Sequence, residues 1–100
     1  MKQSSFYNTA ECVYEVNVLA DFVAEKGDAI NMGEMANVVE SLQMIKCRVE
    51  ESYIIPSDLH LADKLGAVLE YITESPLMNV ASRTITSLTS LLGYVETFSK

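Results

Sequence analysis

Four successive segments of this chain bring an apolar residue back every three or four positions, and no stretch alternates long enough to make a convincing strand. The stripes are Cys12, Val16, Leu19 and Val23; Met35, Val38, Leu42, Ile45 and Val49; Leu61, Leu65, Val68 and Ile72; and Ala81, Ile85, Leu88, Leu92 and Val95. Each stripe is one side of an α-helix that has to be buried against another element. Four such helices predict an all-α fold. The near-heptad spacing favours shallow crossing angles, hence a four-helix bundle of two antiparallel helical hairpins, which a second copy of the chain could complete as a homodimer.

The punctuation between the stripes agrees. Asn8 and Glu11 stand three apart, as do Asn31 and Glu34, and each pair reads as a capping box, with Tyr7 placed to pack on Cys12 as a staple. Lys26-Gly27 stops the first helix with a cation and a residue tolerant of positive φ. The run Ser52 to Pro56 stops the second, since the residue before a proline disfavours helix. Ser75-Pro76 ends the third helix and starts the fourth. The expected helices therefore span about 9–26, 33–51, 58–74 and 76–98 within a single helical domain.

Composition bounds the function. Fourteen acids against seven bases give a net charge of −7, which repels phosphate backbones and argues against direct nucleic-acid binding. The nearest thing to a basic patch, Lys46 with Arg48, is followed at once by Glu50 and Glu51. Residues 1–51 hold nine acids and four bases, and residues 52–100 five and three, so the acids gather in the first half. The opening residues lack the apolar core of a signal peptide. The least charged stretch, Leu77 to Val95, is too rich in Ser, Thr and Asn for a membrane span. A soluble cytoplasmic protein is expected, with Cys12 and Cys47 as free thiols; the two lie at similar heights in the first hairpin but point differently.

No catalytic or metal constellation is legible. The pairs Glu11 with Glu15 and Asp21 with Glu25 fall on a convex face and read as solvated charges rather than a converging acid–base pair. A di-iron bundle needs two inward Glu-x-x-His motifs, and the chain has one histidine, His60, expected on the outer face of the third helix. Neither cysteine has a base placed beside it. No enzymatic activity, cofactor or metal is expected.

Two surfaces exceed what a bundle needs. On the first helix, Tyr14, Val18 and Phe22 run at i, i+4, i+8 on the side opposite the core, among Glu11, Glu15, Asp21 and Glu25. They would be buried if that helix were central or if Phe6 and its neighbours covered them. Otherwise they form an apolar anchor row ringed by acids, fitted to a partner protein with a basic or mixed-charge surface. On the fourth helix, Ser82, Thr86, Thr89, Ser90, Gly93 and Thr97 make a small, almost uncharged face that suits close helix approach and self-association, or is simply a polar surface.

The expected function is therefore non-catalytic protein binding. In size, acidity and want of motifs the chain resembles small phage- or prophage-encoded inhibitors of bacterial defence systems, including anti-CRISPR and anti-restriction proteins. That likeness is one of type; it covers no motif and carries no residue roles. The alternative is a structural or assembly subunit, such as a secretion chaperone, an antitoxin or immunity protein, or a helical oligomerisation module.

Overall fold

A computed structural model describes residues 6–56, 59–74 and 80–98, with side chains to residue 97. Its elements are α1 (Thr9–Lys26), a 3-10 turn (Gly27–Ala29), α2 (Met32–Glu51), α3 (Leu61–Glu74) and α4 (Val80–Phe98). The fold is all-α, four helices packed as a bundle of 38 × 31 × 22 Å.

Both expected capping boxes are formed. The Asn8 side chain accepts from the Glu11 N–H at 2.8 Å while Glu11 Oε1 accepts from the Asn8 N–H at 3.1 Å. Asn31 and Glu34 repeat the exchange at 2.8 and 3.0 Å. Each box satisfies two amide groups that an α-helix leaves orphaned at its start. At the other end of α1, Gly27 takes φ 54° and ψ −135°, a conformation costly for any residue with a Cβ, and its N–H closes on the Val23 carbonyl.

The neighbours run α1–α2–α3–α4 and back to α1, with α1 against α4 and α2 against α3 the most extensive faces. Sequence neighbours are antiparallel: the start of α1 meets the end of α2 through Glu15 and Arg48, and the end of α1 meets the start of α2 through Lys26 and Glu34. The stripes of α2 are buried as expected, from Met35 to Val49. Leu42, Leu65 and Leu88 are wholly inaccessible at the centre. Where α2 and α3 draw close, Gly66 makes room for the Lys46 stem, whose Cε lies 3.3 Å from where a Cβ would stand.

Three expectations need correction. The third helix starts at Leu61, not at 58: Leu59 is buried in a 3-10 turn, and His60 precedes the helix at φ 55°, which a helix cannot contain. His60 is exposed as expected, but at the helix entrance, where its carbonyl accepts the Lys64 N–H. On α4, Ile85 and Leu92 are only half-buried, while Leu91 and Thr84 lie inside. The inner arc of α4 is thus turned slightly from the one its leucines and isoleucine suggested. The Ser75-Pro76 start of the fourth helix lies outside the described residues.

Candidate functional site

The helices α1 and α2 touch more sparingly than the other sequence neighbours. Two ion pairs hold them at either end, and an open groove of about 340 Å³ lies nearer the first. Leu19 and Ile45 form its floor, Tyr14 and Val18 one bank, and Ser41 and Met44 the other. Tyr14 is 70% exposed, Val18 49% and Met44 53%. Helical periodicity explains the arrangement on α1. At 100° per residue, Cys12, Val16 and Val23 point at the bundle axis, Leu19 points towards α2, and Tyr14 and Val18 stand outside.

The first ion pair is built into a larger polar lock. Arg48 Nη1 donates to both oxygens of the Glu15 carboxylate at 2.9 Å, and the Tyr7 hydroxyl donates to Glu15 Oε1 at 2.6 Å. The guanidinium lies 5.9 Å from the Tyr7 ring centroid, and Ser52 Oγ donates to the Tyr7 carbonyl. Burial, reinforced by the bond to Glu15, holds the Tyr7 phenol far above its ordinary value, so it acts as a donor. The buried Cys12 thiol beneath it is pushed up to about 11, chiefly by burial, and stays protonated. Glu15 is thus a clamp residue and not the solvated charge expected from its place on α1. At the far end, Lys26 Nζ meets Glu34 Oε2 at 2.9 Å; their hydrogen bond raises the lysine and lowers the carboxyl.

Of the predicted anchor row, Tyr14 and Val18 stand in the groove, whereas Phe22 is half-buried, packs on the core and lies under Lys26 at 5.8 Å. Glu11, Asp21 and Glu25 are exposed. They share with Tyr14 and Val18 an arc of roughly 80° on α1. Met44 was missed, although the signal was available: projecting α2 as α1 was projected sets Met44 off the Met35–Val49 stripe, one turn from Glu40 and Arg48.

The small face of α4 is exposed at all six positions, Ser82, Thr86, Thr89, Ser90, Gly93 and Thr97. Thr86 and Thr97 turn their hydroxyls back to the Ser82 and Gly93 carbonyls at 3.0 Å, so neither needs an outside partner. Thr86 and Ser90 border a second groove, of about 440 Å³, between α3 and α4 with Lys64, Tyr71 and Tyr94.

Cys12 and Cys47 are both free, one buried and one exposed. Among the described residues, no three His, Cys, Asp or Glu side chains gather closely enough to hold a metal ion, and no helix is long and apolar enough to cross a membrane. Comparison with protein-family models, with curated proteins and with solved structures found no match.

Proposed function

We propose that this protein is a non-catalytic binding module whose docking surface is the α1–α2 groove. Tyr14 and Val18 are its anchors, joined by Met44, while Phe22 supports them from the edge of the core. Glu11, Asp21 and Glu25 supply charge selection, and Glu15 fixes the groove's end through Arg48. One observation carries the proposal: three large apolar side chains, each about half or more exposed, converge on one concave surface. Scattered exposed hydrophobics are ordinary, but a contiguous set rimmed by charge marks an interaction site. With a net charge of −7, the most specific form of this role is a small acidic inhibitor of a bacterial nucleoprotein or defence complex, of the anti-CRISPR or anti-restriction type.

The test is site-specific photo-crosslinking in native lysate, with the reactive residue at Val18 in one sample and at Thr73, exposed on α3, in another. A discrete adduct from Val18 alone, weakened by salt, is the expected result. Adducts of equal yield from both positions, or none from Val18, contradict the docking role.

A second role, self-association through α4, is favoured by the exposed small face and the groove beside it. Among the described residues nothing lies within 4 Å of a notional Cβ at Gly93, which leaves room for another helix to come close there. Light scattering decides it: a dimer that Thr86→Glu or Ser90→Arg dissociates supports the seam, and a mass unchanged by either substitution contradicts it.

A further inference from the structure

Building on that docking role, we infer that the α1–α2 groove receives one kind of occupant: a basic amphipathic helix of a partner protein. Its apolar edge lies between Tyr14 and Val18 on one bank and Met44 on the other, and its lysines or arginines lie over the acids beside those banks.

The walls decide against an extended segment. Both are α-helices whose backbone groups are bonded within the helix, so an extended chain would find no strand edge to pair with. A helix needs none, because its own backbone is satisfied. Tyr14 and Val18 are separated by one turn, about 6 Å of rise, matching the i, i+4 ridge of an incoming helix. Met44, unbranched and adaptable, faces them from the other bank and can fit more than one side-chain shape.

The charges decide the sign of the occupant. Asp21 and Glu25 stand exposed on the same outward arc of α1 as Tyr14 and Val18, and Glu40 stands exposed one turn from Met44. Among the described residues, the cations near the groove are already engaged, Arg48 by Glu15 and Lys26 by Glu34. What faces an arriving ligand is an apolar trough with Asp21 and Glu25 beside one bank and Glu40 beside the other, complementary to a helix with an apolar stripe flanked by cations.

The probe is a synthetic peptide of about 18 residues, with leucines at i, i+3, i+4 and i+7 and lysines on either flank. Fluorescence anisotropy follows its binding to the intact protein. Saturable binding is expected, about tenfold weaker for Val18→Ser or Met44→Ser and unchanged for Thr73→Ala, exposed on α3 away from the groove. Asp21→Asn with Glu25→Gln should weaken binding and flatten its salt dependence. Four outcomes overturn the inference. These are equal affinity for a glutamate-flanked peptide, equal affinity for a scrambled peptide of the same composition, equal affinity for a proline-interrupted version that cannot be helical, and indifference to Val18→Ser. A concentration-dependent dimer that Val18→Ser dissociates also overturns it, by making a second copy the occupant. If no peptide binds while the Val18 crosslink still captures one partner, the helical occupant is wrong and the docking role stands. If that crosslink fails too, both fall.

Discussion

Replacing Thr84 with valine should make the protein more stable. Thr84 is fully buried on the inner side of α4, and its hydroxyl has no hydrogen-bond partner among the described residues. In the unfolded chain that hydroxyl bonds to water, so folding strips it of a partner at a cost of about 1–3 kcal/mol. Valine has nearly the same shape and a similar helix propensity, and it presents a methyl group where the hydroxyl stood. Leu88, buried one turn further along the same face of α4, offers nothing polar to lose. The expected gain is about 1–2 kcal/mol, discounted from the upper figure because a threonine can bend its hydroxyl towards its own helix. For a chain of 100 residues this raises Tm by roughly 4–8 °C per kcal/mol. Urea denaturation should show a higher midpoint with an unchanged slope, and Thr84→Ser, which keeps the hydroxyl and loses the methyl, should be destabilised by about 1 kcal/mol. A valine variant less stable than the parent would refute the reasoning, because it would mean that the hydroxyl is satisfied in solution.

Other consequences can be measured on the isolated protein. Folding protects the Cys12 proton, its thiol being raised from 9.0 to about 11, so its contribution is complete below pH 9 and declines as pH rises towards 11. Denaturation at pH 9 and 10 should differ by about 1 kcal/mol, and Cys12→Ala should remove most of that slope. Above pH 10 the raised Tyr7 phenol adds to the loss in the same direction, which Tyr7→Phe should reduce. Gly27→Ala should cost about 1–3 kcal/mol by equilibrium denaturation, since Gly27 sits at φ 54° and ψ −135°. For the partly exposed pair Glu15 and Arg48, a double-mutant cycle to alanine should give a coupling of about 1 kcal/mol, shrinking in high salt.

The first two helices were legible because each is specified twice. Asn8 with Glu11 and Asn31 with Glu34 mark starts by local hydrogen bonding, and the stripes that follow mark faces by burial. Where only one signal existed, the boundary slipped: the third helix, expected from 58, waits until Leu61, because Leu59 is drawn into the core and His60 turns the chain. Tyr14 and Val18 were legible as residues that a solvated face does not explain. Their setting was not, because a groove belongs to two helices, and periodicity describes one at a time. Met44 is apolar, and on its own it passes for a scattered surface residue. Glu15 shows the converse. Its place on an outward face says nothing of Arg48, thirty-three residues on, or of Tyr7, which together tie its carboxylate down while it stays partly exposed.

The account turns on whether Tyr14 and Val18 serve binding or folding. Calorimetric titration of the crosslinked partner against Tyr14→Ala and Val18→Ser, paired with the Tm of each variant, separates the two. Exposed side chains predict stability within about 0.5 kcal/mol of the parent and a binding loss of about 2 kcal/mol or more. Undiminished affinity, or a collapse in Tm that accounts for the lost binding, would contradict it.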